Sequence, residues 1–185
     1  WYTVNSDGRV FVYREYYYGI GVKKPDGTVI EVGRDYDEHA KAIAAMSVDE
    51  DGLPEEYRYT VIDTAAFSKA GFSETAAQIY ERCGVTGLIQ SAKERLIGWN
   101  AVHRYLRAEV STPPLLQVFS TCANLIRTLP LLKHDDIHPD DVDSRGEDHA
   151  ADELRYFLRT LRDAKAPKPE TLVQKRIRQL REQEN

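Results

Sequence analysis

The stretch D-D-V-D-S-R-G-E-D-H-A-A-D-E-L-R-Y, residues 140–156, sets acids and one histidine into the opening of an amphipathic helix. Ser144 and Glu147 have the S-x-x-E spacing of a capping box. Glu147 and Asp148 then fall in the first turn, where the helix dipole favours negative charge. A capped helix start with solvated acids is one reading of this pattern. It leaves His149 without a role, and it leaves Asp152 past the turn in which the dipole acts. On a helix Asp148 and Asp152 are four residues apart and His149 and Asp152 three apart, so the three share one side. Carboxylates and an imidazole on one side are the donors of a divalent-metal site, the second reading.

Working outward, Y-R-Y-T-V-I-D-T (residues 57–64) reads as a buried strand ending at Asp63. Functional side chains collect at that end of strands in α/β sheets. Taken alone, Asp63 also suits an N-cap or a turn. Residues 1–18 read as a hairpin: W-Y-T-V, the turn N-S-D-G, then R-V-F-V-Y-R-E-Y-Y-Y as a long strand. Val10, Val12 and Arg14 are expected on one face and Phe11, Tyr13 and Glu15 on the other. A turn at K-P-D-G-T (24–28) precedes a short strand V-I-E-V (29–32), and residues 35–46 have helix composition. A helix over 73–84 starts at Ser73 as N-cap and stops at Gly84. A further helix covers 92–106, and a strand covers 115–120 after Pro113–Pro114. A short helix is stopped near Pro130, and the acidic loop 134–143 leads into the opening stretch. The order predicts an α/β architecture, a mixed central sheet flanked by helices, over residues 1–166. Residues 167–185 are expected as a basic C-terminal helix or tail.

At 185 residues the chain suits one domain with a sizeable core. No apolar run approaches the roughly 20 residues of a membrane span, and the opening W-Y-T-V does not resemble a signal peptide. Cys83 and Cys122 form no C-x-x-C pair, so free thiols in a reducing cytoplasm are expected and a structural zinc is not. A net charge of -5 argues against a protein that coats nucleic acid generically. It leaves room for an enzyme that cuts it, because an acidic metal site is negative until metal binds.

The ordered blocks V-I-D-T-A-A-F, A-K-E-R-L-I-G-W-N-A-V-H-R-Y-L, L-Q-V-F-S-T-C-A-N-L-I-R-T-L-P and E-D-H-A-A-D-E-L-R-Y, with Y-R-E at residues 13–15, resemble the C-terminal nuclease domain of tailed-bacteriophage terminase large subunits. The resemblance runs from about residue 1 to 162. It implies an RNase H-like fold and metal-dependent endonucleolytic cleavage of concatemeric double-stranded viral DNA during packaging. The setting it implies is the cytoplasm of a bacterial host, for a phage or a prophage. Its implied partners are the terminase ATPase domain, the small terminase subunit and the portal protein, with no membrane. In that family one acid lies on the first strand, a second on the fourth and others on the last helix. Asp63 matches the second acid and Asp152 the last-helix acid, with His149 beside it and Asp148 as a further candidate ligand. The first-strand acid belongs upstream of W-Y-T-V, so the first strand is expected to be missing, and no Walker A motif of the ATPase occurs.

On this expectation Asp63, Asp152 and His149 are catalytic, and with Asp148 they hold Mg²⁺ or Mn²⁺, two ions being expected. Lys69, Arg95, Lys175, Arg176 and Arg178 are the candidate DNA contacts, against an alternative reading as ordinary surface charge. Tyr16–Tyr18 either pack in the sheet or stack on bases. The loop H-D-D-I-H-P-D-D (134–141) is read as solvated rather than as a metal cluster, since Pro139 and the lack of helical spacing leave no fixed geometry. A non-catalytic RNase H-like binding module is the competing reading, and another nuclease or resolvase of that fold a third.

Overall fold

The N-S-D-G turn closes as the sequence predicts. The Asn5 side-chain oxygen accepts from the amides of Asp7 and Arg9 at 3.1 and 2.9 Å. Gly8 takes the left-handed conformation, φ +78°, that the turn requires. The computed structural model describes residues 1–163 apart from 20, 25, 70, 72 and 109–112. The turn joins β1 (Tyr2–Val4) to β2 (Val10–Val12) as an antiparallel pair with Thr3 opposite Phe11. On its other side β2 runs parallel to β5 (Leu116–Val118), giving the order β1-β2-β5. A second, parallel pair joins β3 (Thr60–Ile62) to β4 (Leu88–Gln90). One edge of β1 and one edge of β3 therefore carry no partner among the described residues.

The long strand expected over residues 9–18 is only three residues long. The ladder ends because β5 leaves it: Phe119 still donates to the Val12 carbonyl, but Cys122 already donates back to Phe119 as the chain turns into the next helix. Residues 14–18 keep a two-residue alternation without a partner strand among the described residues. Arg14, Tyr16 and Tyr18 reach Glu55, His39 and the Val32 carbonyl, while Glu15 and Tyr17 reach Asn124 and Glu147. The expected strand at 29–32 reduces to a single bridge between Lys23 and Val29.

Among the described residues five helices surround these strands. α1 (Tyr36–Met46) starts with a capping box between Asp35 and Glu38. α2 (Ala76–Arg82) is capped not by Ser73 but by Thr75, whose reciprocal partner Gln78 sits at the right spacing, and Gly84 follows it at φ +98°. α3 (Arg95–Leu106), α4 (Ala123–Thr128) and α5 (His149–Asp163) complete the set. Ser144 does not cap α5, which opens at His149 directly after Asp148. Ser144 instead accepts from Arg95, and Glu147 is held by Arg127 and Tyr17.

The core lies where β2 and β5 meet α3, α4 and α5. It is built from Val10, Val12, Leu116, Trp99, Val102, Leu125, Leu154 and Leu158, all buried. α3 and α5 approach closely at Gly98, where a Cβ would stand 2.6 Å from Cγ of Arg155. α5 also reaches both groups of strands through neighbouring residues. The Phe157 ring stacks on Tyr2 of β1 with centroids 4.0 Å apart, and the Tyr156 hydroxyl meets Asp63 just beyond β3. Over the described residues the architecture is mixed α/β, with a small mixed sheet and five helices. Cys122 is buried and both cysteines are free thiols. Among the described residues no helix is long and apolar enough to cross a membrane.

Candidate functional site at the junction of β3 and α5

Asp63 ends β3 and caps a short 3-10 turn, Thr64–Phe67, by accepting from the Ala65 amide at 2.7 Å. Its other oxygen accepts from the Tyr156 hydroxyl at 2.5 Å. That bond, then the Ala65 amide, holds the Asp63 carboxyl below its ordinary range, and the partial burial that opposes them is outweighed. Tyr156 responds in the opposite sense. Burial first, then the hydrogen bond to Asp63, pushes its phenol up to about 12.

The same face of α5 carries His149, Asp152, Glu153 and Tyr156, at the spacing that aligns residues on a helix. Asp152 lies one turn before Tyr156, and both of its oxygens are engaged. Arg155 Nε donates to Oδ1 at 2.9 Å, and Arg95 Nη1 stands 3.5 Å from Oδ2. Arg95 is the hub of this corner: it donates to Asp141 at 2.7 Å and to Ser144 Oγ at 3.0 Å, and it lies 3.9 Å from the buried carboxylate of Asp148. Burial works against ionisation of Asp141, but Arg95 and the Val142 amide prevail and its carboxyl falls below the ordinary range. Trp99 Nε1 donates to the same Asp141 oxygen at 3.0 Å, and Arg155 lies over both the Trp99 and the Tyr156 rings.

The expected site residues are thus only partly brought together. Asp63 meets α5 through the Tyr156 hydroxyl, while Asp152, one helical turn before Tyr156, has its oxygens on Arg155 and Arg95. His149 stands at the outer end of α5 with its side chain 85% exposed, 3.9 Å from Asp148, which itself turns inward toward Arg95. Among the described residues no group of three His, Cys, Asp or Glu side chains is arranged to hold a metal ion. Arg95, read from sequence as a phosphate contact, is an internal tie between α3, the loop 141–144 and α5. Lys69 is exposed next to the 3-10 turn. Lys175, Arg176, Arg178 and the expected tail helix lie outside the described residues. The acidic loop is ordered by its own turns: Asp135 accepts from the amides of Ile137 and His138, and Asp136 pairs with Arg145.

Two participants were not singled out from the sequence. Tyr156 falls four residues after Asp152, so extending the helical face by one turn reaches it. Glu153 falls on the same face. The residue is exposed, yet its carboxyl pKa is raised: crowding by protein contributes most, the charges of Asp152 and Asp63 add to it, and the Trp1 amino group and His149 oppose it. The charges of Asp152 and Asp63 thus reach Glu153. No protein-family model, curated protein or solved structure matches this chain.

Proposed function

We propose that this chain is an RNase H-like nuclease domain of the tailed-phage terminase type. On this reading it is a metal-dependent endonuclease acting on concatemeric double-stranded DNA, working beside an ATPase domain, a small subunit and a portal. The observation that carries the proposal is the hydrogen bond from Tyr156 to Asp63, which draws the acid at the end of β3 to the α5 face bearing Asp152.

The donor chemistry of Asp63 and Asp152 suits Mg²⁺ or Mn²⁺. Their arrangement does not yet fit an ion pair. Asp63 is held by Tyr156 and Ala65, Asp152 by two arginines, and no third ligand converges among the described residues. The same observation favours the second reading, a non-catalytic RNase H-like module that binds DNA or protein through this face. Manganese binding followed by electron paramagnetic resonance, together with nicking of supercoiled plasmid, separates the two. The nuclease reading expects bound Mn²⁺ and nicking, both lost in Asp63→Asn and in Asp152→Asn. Absence of binding at millimolar Mn²⁺, or nicking that survives Asp152→Asn, overturns it.

A further inference from the structure

The guanidinium of Arg95 faces three carboxylates at once, and its hold on them is unequal. Toward the loop it is held closely, by Asp141 at 2.7 Å and by Ser144 Oγ at 3.0 Å. Toward the start of α5 it is held at the limit of hydrogen bonding or beyond it: Nη1 lies 3.5 Å from Asp152 and Nη2 3.9 Å from Asp148. The long contacts are thus to the two acids, one helical turn apart, that the sequence marks as candidate metal ligands.

Asp148 carries the argument further. Its side chain is only 9% exposed, and the nearest cationic nitrogens, on Arg95 and His149, both stand 3.9 Å away, outside hydrogen-bond range. A carboxylate taken out of water without a hydrogen bond is costly, so Asp148 gains from any cation that comes closer. Asp152 has a second arginine, but that one is fixed. The Arg155 side chain is 4% exposed and lies over the Trp99 and Tyr156 rings. The Arg95 side chain is 30% exposed, and of the two it is the one able to leave. Swinging off α5 breaks only its long contacts, because Asp141 and Ser144 retain it. Asp148 and Asp152 would then share one guanidinium and carry an excess negative charge.

We propose that Arg95 is an autoinhibitory latch. It occupies the cation position of Asp148 and Asp152, and a divalent ion binds there only by displacing it toward Asp141. The misfit between these acids and a metal ion then has a cause, since the place is already taken. The inference rests on the nuclease reading only for the choice of a divalent metal as the displacing cation.

The test uses the full chain and Mn²⁺ alone, with binding read by electron paramagnetic resonance. Arg95→Gln keeps a donor for Asp141 without the charge. It is expected to bind Mn²⁺ at least about tenfold more tightly than the parent, the ratio for a latch closed about nine-tenths of the time. The gain is expected to vanish in R95Q/D152N and in R95Q/D148N. Mg²⁺ titrated into the parent and followed by nitrogen nuclear magnetic resonance gives a second reading that needs no variant. The Arg95 Nη signals are expected to shift on Mg²⁺ addition while those of Arg155 stay. Equal Mn²⁺ affinity in the parent and Arg95→Gln, no binding by Arg95→Gln, a gain that survives in R95Q/D152N, or Mg²⁺ that leaves the Arg95 signals unmoved overturns the proposal. Plasmid nicking in the same samples keeps it apart from the nuclease reading. Tighter Mn²⁺ binding by Arg95→Gln without nicking supports the latch and removes the nuclease reading, whereas nicking with equal affinities removes the latch alone.

Discussion

Removing a single oxygen atom, in Tyr156→Phe, tests whether β3 and α5 are tied together at Asp63. A hydrogen bond to a charged acceptor contributes about 1.5–3 kcal/mol where it is shielded. Tyr156 and Asp63 are both only half-buried, so solvent screening lowers the figure to about 1 kcal/mol. Asp63 also keeps its bond from Ala65, so the variant leaves no bare buried charge. For a domain of this size that loss lowers Tm by about 2–4 °C. The pH dependence has a definite sign. The folded-state pKa of Asp63 is depressed, first by the Tyr156 hydrogen bond, so the bond contributes fully above the unfolded value and is lost as pH falls through the folded one. The deficit of Tyr156→Phe is therefore complete at neutral pH and narrows below about pH 4. Urea unfolding followed by tryptophan fluorescence at neutral and acidic pH measures it. A double-mutant cycle with Asp63→Ala isolates the pair term. Parental stability of Tyr156→Phe at neutral pH, a cycle coupling near zero, or a deficit that grows on acidification would refute the reasoning.

Gly98→Ala is expected to lower stability by about 1–3 kcal/mol, because the new methyl meets Arg155 Cγ at 2.6 Å and the overpacking exceeds the roughly 1 kcal/mol gained in helix propensity; thermal unfolding reads the sign directly. Glu15→Ala removes the acceptor for the amides of Asn124 and Leu125 and for the Asn124 side chain, at a cost of about 1–2 kcal/mol, and hydrogen exchange should quicken first at those two amides. Leu158→Ala empties a fully buried core position and should cost about 2–5 kcal/mol, seen as a lower urea midpoint at unchanged slope. The carboxyl of Glu147, pulled down to about 2 by Arg127 and then Tyr17, should titrate near that value by carbon nuclear magnetic resonance and move toward the ordinary range in Arg127→Met.

Local signals carried much of the fold. The N-S-D-G turn, Gly84 after α2 and the apolar periodicity of α5 each depend on residues within one or two turns of each other, and each was legible. What failed was settled at a distance. The length of the aromatic strand depended on where β5 turned away, and nothing in R-V-F-V-Y-R-E-Y-Y-Y records that. Glu15 caps a helix more than a hundred residues along the chain, so no spacing rule connects them. Arg95 could be placed on a helix from its sequence, but the four acceptors that fix its role come from the loop 141–144 and from α5. For the site, the S-x-x-E spacing and the D-H-A-A-D spacing competed for one helix start. The chain follows neither fully: Asp148 turns inward, His149 outward, and Asp152 toward two arginines.

The reach of α5 to both groups of strands has a consequence for synthesis. Phe157 meets β1 and Tyr156 the end of β3, so the joint between the two groups rests on residues translated more than ninety positions after Ile62. At about 5–20 residues per second on the ribosome, the hairpin and the β3–β4 pair wait several seconds as separate pieces with open edges. Those edges are templates for pairing with another chain, and the interval before α5 arrives is when a nascent copy is most exposed to a neighbour on the same messenger.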